Sequence, residues 1–139
     1  MKEQGIGQRL QRPDAVGKAT GRTLFPGDLE MDGALSMKVL FSDRVHARIL
    51  ALETAEAERV PGVVAILTYR DVPVNEYGLI YADQPALCGD KVRTIYDRVA
   101  LVIAENRRAA ARARDRVRVE YEDLPALTDP RQAMLPGAI

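Results

Sequence analysis

Apolar and polar side chains alternate along residues 47–52, and this period of two predicts a half-buried β-strand. A second alternation, over residues 117–122, predicts another strand. Two uninterrupted apolar runs, residues 63–67 and 99–104, have strand length and no polar face. Such runs are typical of strands that are covered on both faces. The chain therefore predicts at least four strands, two of them fully buried.

Two main helices are predicted between these strands. The first covers residues 54–60 with Thr54 as its N-cap, and Pro61-Gly62 ends it because proline lacks an amide donor and glycine tolerates the reversal. The second covers residues 107–117 behind Asn106. Its apolar stripe consists of small side chains that allow close packing on a sheet: Ala109, Ala110, Ala113 and Val117. Val117 also fits the strand that follows, so this boundary stays open.

The remaining segments predict connections. Residues 1–20 show no periodicity and predict an extended arm. Residues 75–89 form a connection of a length that often has a binding or contact role, and the role of its Tyr77–Cys88 part stays open. The other assignments are a strand at 35–41, a bend at 42–45, a short strand at 91–95, a turn at 96–98 and a helical turn at 129–134.

Composition narrows the classes of protein. The 139 residues carry 20 basic and 20 acidic side chains, and this zero net charge favours neither nucleic acid nor an anionic membrane as a partner. No apolar run approaches the roughly 20 residues that cross a bilayer, and the N-terminus lacks the apolar segment of a signal peptide. A single cysteine, Cys88, excludes an internal disulfide and predicts a reducing, cytoplasmic compartment.

Candidate catalytic groups lack the partners that chemistry requires. His46 is the only histidine, and the sequence contains no Cys/His cluster. We therefore predict that its ring forms hydrogen bonds with the backbone at the start of a strand and is neither a general base nor a metal ligand. Cys88 alone cannot hold an iron–sulfur cluster, which takes about four thiolates, and we expect it to be inert. Gly5-Ile6-Gly7 lacks the third glycine and preceding strand of a dinucleotide fingerprint. We therefore predict no catalytic, cofactor-binding or metal-binding residue in this chain.

Six arginines between Arg107 and Arg118 could indicate nucleic acid, but they spread around the polar arc of the predicted helix among acidic neighbours. They predict a solvated face or a contact with another domain.

Several segments, in this order, resemble the N-terminal α/β-hammerhead domain of the xanthine dehydrogenase/aldehyde oxidase family. The central match is Ser42-x-x-x-His46-Ala47-Arg48-Ile49, followed by a short acidic helix and by Pro61-Gly62-Val63-Val64-Ala65-Ile66-Leu67-Thr68. Further matches are Arg12-Pro13-Asp14-Ala15, Thr20-Gly21, Asp71-Val72-Pro73, Asp90-Lys91-Val92-Arg93, residues 99–105 and residues 119–125. The resemblance covers residues 5–134, and it implies an α+β fold of hammerhead type, a mixed β-sheet with two main helices.

The resemblance also implies a function. Residues 1–20 would be an arm, residues 21–134 the hammerhead domain, and residues 135–139 the start of a linker to an absent molybdenum-binding domain. The parent would be a molybdenum hydroxylase acting on a purine, another N-heterocycle or an aldehyde. Molybdopterin-bound molybdenum, [2Fe-2S] clusters and FAD would lie on other domains or subunits, which would be the partners. This chain would be a structural fragment without its own active site.

A free-standing binding or carrier module is the alternative. Ser36-Met37-Lys38-Val39 resembles the Met-Lys dipeptide of biotinyl and lipoyl carriers, but Lys38 falls inside an apolar strand rather than at a hairpin tip.

The chain also departs from the family pattern. Asp43 stands where the family often has proline, and Tyr96-Asp97-Arg98 stands where it often has Gly-Asp/Glu-Pro. Without that glycine, the turn must either avoid a positive φ or be strained.

Overall fold

A computed structural model describes residue 7, residues 11–29 and residues 31–138, and the chain divides into two compact units, Met1–Ala34 and Leu35–Ile139. The first unit contains helix α1 (Ala15–Ala19) and a 3₁₀ turn at Pro26–Asp28.

Helix α1 corrects the extended arm expected over residues 1–20. Asp14 precedes the helix and pairs with both Arg12 (2.9 Å) and Lys18 (2.7 Å). The Thr20 hydroxyl donates to the Val16 carbonyl at 2.7 Å. These local bonds stabilise one helical turn without any apolar period. The other part of the expected arm, residues 1–6 and 8–10, lies outside the described residues, as do Gly5 and Ile6 of the glycine motif.

The second unit holds the strands and three further helices. The strands are β1 (Ser36–Phe41), β2 (Ala47–Glu53), β3 (Val63–Leu67), β4 (Glu76–Tyr77), β5 (Gln84–Pro85), β6 (Lys91–Val92), β7 (Arg98–Ala104) and β8 (Arg118–Asp123). The helices are α2 (Ala55–Glu58), α3 (Arg107–Arg114) and α4 (Pro130–Ala133). A 3₁₀ turn at Tyr69–Asp71 follows β3. The predicted α+β class is confirmed.

The strands form small antiparallel sheets. One has the order β1-β7-β3, the second β6-β2-β8, and β4 pairs with β5 in a hairpin. Among the described residues every strand pairing is antiparallel, so the expected mixed sheet is replaced by antiparallel ones.

The position of β3 overturns one expectation about burial. Strand β7 lies at the centre of its sheet and buries most of its side chains, as predicted. Strand β3 lies at an edge, and Val64 is 55% exposed. An apolar run of five residues is compatible with both a central and an edge position in a sheet, since the run does not specify which strands lie beside it.

Helix α3 packs its alanine stripe onto the first sheet. Ala109, Ala110 and Ala113 are buried, and Ala104 of β7 joins the first two in one core cluster. At the chain reversal before β3, Gly62 has a φ of +87°, and a Cβ there would lie 3.3 Å from the Ala109 Cβ. The left-handed φ therefore favours glycine, and the Ala109 methyl group leaves little room for a Cβ.

Helices α2 and α3 are both shorter than the sequence predicted. Asn106 caps α3 as expected, because its side-chain oxygen accepts a bond from the Ala109 amide at 2.9 Å. Val117 belongs to neither of the two elements that claimed it but is buried in the turn between them. Thr54 precedes α2 without a side-chain capping bond, and its hydroxyl instead donates to Glu58 Oε1 at 2.6 Å.

Candidate functional site

The only histidine lies beside a shallow groove of about 340 Å³. Its Nδ1 is 2.6 Å from the Pro125 carbonyl oxygen. A carbonyl can only accept, so Nδ1 carries the proton, and in the neutral ring Nε2 is left as an acceptor. The ring thus ties the start of β2 to the segment after β8, which agrees with the structural role predicted for His46.

The groove has basic and apolar walls. Lys91 and Arg93 contribute the charge, and neither forms a salt bridge with any described residue. The other lining residues besides His46 are Val45, Pro125, Ala126 and Leu127. No described hydroxyl, thiol or carboxylate lines it, so His46 has no nucleophile to activate. The sequence did not indicate this groove, because its residues come from three separate segments.

A second cleft, of about 450 Å³, is more polar. Within it, the Asp71 carboxylate accepts bonds from the Thr68 amide (2.7 Å) and hydroxyl (2.9 Å). The bond from the Thr68 amide has the larger effect and the bond from its hydroxyl the next. Both lower the pKa of Asp71. Glu58 is likewise bonded to Thr54. Both carboxylates are thus held by donors of their own chain, and neither is placed as a general base.

Cys88 is buried, with 3% of its surface exposed, in a cluster with Ala47, Val92 and Val99. Burial, and next the charge of Asp97, raises the pKa of its thiol from 9.0 to about 11. A thiolate is the reactive form, so this position agrees with the inert role predicted for Cys88.

The long connection before Cys88 is clamped at its base. The Asn75 side chain donates to the Leu87 carbonyl at 2.8 Å and accepts from the Leu87 amide at 3.0 Å. The hairpin of β4 and β5 lies between these two residues, with Leu79, Ile80 and Tyr81 exposed beyond it. The sequence did not lead us to predict this clamp. The signal for it is an asparagine at the start of a long loop.

Lys38 lies inside β1, opposite Val102 of β7, and is half-buried. Carrier domains present their lysine at an exposed turn, so this position does not favour the carrier alternative.

On α3, Arg107, Arg108 and Arg112 are exposed, and Arg114 pairs with Asp115 at 2.6 Å. These exposed positions are compatible with both predicted roles, a solvated face and a contact with another domain.

The turn before β7 contains a backbone conformation that is rare for its residue type. Tyr96 has a φ of +71°, in the left-handed region, at the position where the family pattern predicted a glycine. Its ring is exposed and lies edge-on to Phe41, with ring centroids 6.1 Å apart. The turn is therefore strained, the second of the two outcomes that the missing glycine predicted.

The described residues offer nothing to hold a metal. They contain no group of three or more His, Cys, Asp or Glu side chains that could ligate one. The described residues thus offer no ligand set for an iron–sulfur cluster. None of the helices in the described part of the chain is long and apolar enough to span a bilayer.

Comparison with known proteins identifies the family. The family model described as aldehyde oxidase and xanthine dehydrogenase, a/b hammerhead domain, matches residues 20–125. The chain belongs to this family. The resemblance read from Ser42 to Thr68 and its flanks is confirmed, and so is the hammerhead fold.

Two curated relatives illustrate the match. A probable xanthine dehydrogenase subunit of Bacillus subtilis is 41% identical over 128 residues, which cover 91% of this chain and 17% of the relative. The carbon monoxide dehydrogenase large chain of Afipia carboxidovorans is 36% identical and is matched over 99% of this chain and 17% of its own length. The hammerhead chain thus spans about a sixth of the length of these relatives.

Solved structures agree with this. Carbon monoxide dehydrogenase from Oligotropha carboxidovorans has a TM-score of 0.88 at 34% identity, covering 97% of this chain and 17% of that one. The aldehyde oxidoreductase of Desulfovibrio desulfuricans has a TM-score of 0.82 at 30% identity, covering 96% and 16%. This chain corresponds to the hammerhead portion of such large chains.

Proposed function

We propose that this hammerhead chain is a structural domain of a molybdenum hydroxylase, and that it packs on the molybdenum-binding domains of the same large chain. The observation that carries the proposal is the pair of coverages, because nearly all of this chain matches only a sixth of each relative. Residues 21–134 would be the hammerhead domain, and residues 135–139 would begin the linker.

The parent enzyme would hydroxylate a purine, another N-heterocycle or an aldehyde. Relatives carry the names xanthine dehydrogenase, nicotinate dehydrogenase large molybdopterin subunit and nicotine 6-hydroxylase large subunit. Molybdopterin-bound molybdenum, held outside this chain, would supply the redox chemistry. Iron–sulfur and flavin groups would lie on further domains or subunits, and the enzyme would be cytoplasmic.

Within that enzyme, this chain would supply rigidity rather than chemistry. Its central strand β7 is paired on both sides and covered by α3. His46 joins the start of β2 to Pro125. A domain built in this way positions neighbouring domains without contributing a reacting group.

Purification from the native cell tests the proposal. An affinity tag on the chromosomal copy should recover this chain with stoichiometric molybdenum, measured by elemental analysis. The preparation should reduce a dye when xanthine, nicotinate or an aldehyde is supplied as substrate. The matched control is the 139-residue chain expressed alone, which should contain no molybdenum. A native preparation free of molybdenum would overturn the proposal.

A further inference from the structure

Two exposed aromatic rings form a patch at the end of the first sheet. Tyr96 is 70% exposed, Phe41 is 48% exposed, and the two rings meet edge to face at 6.1 Å. Ile95 beside them is 49% exposed. We define Phe41, Ile95 and Tyr96 as the aromatic patch.

The backbone sets the direction of both rings. A register shift lies between Leu40 and Phe41, where β1 pairs with β7. Such a bulge redirects the side chain next to it. On the other side of the patch, the left-handed φ of Tyr96 sets the direction of its ring.

Hydrogen bonds hold the strained turn in place. The Tyr96 amide donates to the Ser42 carbonyl at 3.0 Å, and the Ser42 amide donates to the Asp97 carbonyl at 2.8 Å. The Asp97 carboxylate accepts from the amides of Arg93 (2.6 Å) and Thr94 (3.0 Å). Strain persists only where the surroundings over-determine the conformation, and this turn meets that condition. The backbone that carries the Tyr96 ring is therefore fixed before any partner arrives.

Nothing within the described residues explains an exposed tyrosine in a conformation that suits glycine. Rigid aromatic side chains in a fixed arrangement are typical anchors of protein interfaces, because little conformational entropy is lost when they are covered. We infer that the aromatic patch is the anchor through which this chain docks on the molybdenum-binding part of its own large chain.

The inference rests on the proposed function and names the docking residues within it. The length of the relatives indicates the occupant. Outside the matched region they extend for about five times the length of this chain, so the polypeptide available to cover the patch lies mostly there. The three side chains of the patch are aromatic or aliphatic, so they would contact an apolar surface of the occupant.

Hydroxyl-radical footprinting followed by trypsin tests the inference at single residues. Cleavage after Arg93 and Arg98 gives a peptide in which Tyr96 is the only aromatic residue, and cleavage after Lys38 and Arg44 does the same for Phe41. In the native molybdenum enzyme, both oxidation rates should be about tenfold lower than in the 139-residue chain, as expected for anchors covered by a partner. Tyr121, half-buried in the chain itself, serves as the internal reference.

Matched variants separate docking from local structure. In the native enzyme, Tyr96→Ala should return Phe41 oxidation towards its rate in the isolated variant, whereas Tyr96→Phe keeps the ring and should leave Phe41 protected. Each variant is compared with the isolated chain carrying the same substitution, which removes any direct shielding of Phe41 by Tyr96.

Two results would overturn the inference. One is equal oxidation of the patch in the native enzyme and in the isolated chain. The other is protection that appears in the isolated chain as its concentration rises, which would assign the patch to a second copy. Both can occur while the native preparation contains molybdenum, so the proposed function would stand. A native preparation without molybdenum would instead remove the proposed function.

Discussion

At the scale of single residues, Cys88 shows how burial controls a side chain's chemistry. Desolvation raises the pKa of its thiol to about 11. Because this pKa is about two units above the ordinary value of 9.0, the folded chain contains about a hundredfold less thiolate at pH 8. We expect iodoacetamide to alkylate Cys88 at least that much more slowly in the folded chain than in urea, as measured by intact mass. Equal rates in both states would contradict the buried position.

The same thiol predicts a pH dependence of stability. The folded chain binds the thiol proton more tightly than the unfolded chain, because the folded pKa is the higher one. Its contribution to stability is therefore complete below about pH 9 and is lost as the pH rises towards 11. Urea unfolding of wild type and Cys88→Ala should show a difference in stability that changes across this window. A difference independent of pH would refute the shift.

Tyr96 gives a further prediction at the scale of residues. Alanine and tyrosine both carry the Cβ that makes a left-handed φ unfavourable, whereas glycine does not. Tyr96→Gly should therefore be more stable than Tyr96→Ala by about 1 kcal/mol, since the relief of about 1–2 kcal/mol is partly offset by the greater chain entropy of glycine. Urea midpoints of the two variants measure this. An alanine variant as stable as the glycine variant would place Tyr96 outside the left-handed region.

At the scale of elements, the two apolar strands differ in their tolerance of charge. Val102 is fully buried in central strand β7, whereas Val64 is more than half exposed on edge strand β3. A carboxylate without a partner in the core costs several kcal/mol, a large part of a typical total of about 5–15 kcal/mol. Val102→Asp should unfold the chain, and Val64→Asp should leave it folded, as measured by circular dichroism. The sequence had predicted that residues 63–67 are covered on both faces, and the exposed side chain of Val64 contradicts that prediction.

Helix α3 depends on its cap more than on its arginines. Asn106→Ala removes the bond to the Ala109 amide and should cost about 0.5–2 kcal/mol. Arg112 lies on the exposed face, where substitutions usually change stability by less than about 0.5 kcal/mol, so Arg112→Glu is the control. Asn106→Asp should retain most of the stability, because aspartate also caps. Thermal unfolding ranks the three variants, and an Arg112→Glu variant as damaged as Asn106→Ala would refute the assignment.

At the scale of the whole molecule, protection from hydrogen exchange should follow the sheet order. Strand β7 is hydrogen-bonded on both sides, while β3 bonds β7 and has a free edge. Residues 99–104 should exchange most slowly, residues 63–67 at an intermediate rate, and the exposed residues 134–138 fastest. Peptide-level mass spectrometry decides between this ranking and equal protection of the two strands, which would make β3 as central as β7.

Several features of this protein could be predicted from the sequence because their causes are local. Alternation along residues 47–52 and 117–122 reflects the two faces of a single strand in each segment. The cap at Asn106 and the reversal at Gly62 depend on neighbours within three or four residues. The sequence also predicted that the turn at Tyr96 would either avoid a positive φ or be strained.

Other features were decided only by the tertiary structure. Whether an apolar run becomes central β7 or edge β3 depends on which strands pair with it, and those partners lie tens of residues away. The groove beside His46 and the Phe41–Tyr96 contact likewise join segments that are distant along the chain. Periodicity reports which face of an element is apolar, but burial also requires a partner for that face. By itself the sequence determined the longer strands, the two main helices and the family of this chain, whereas long-range pairing determined which apolar surfaces stay exposed.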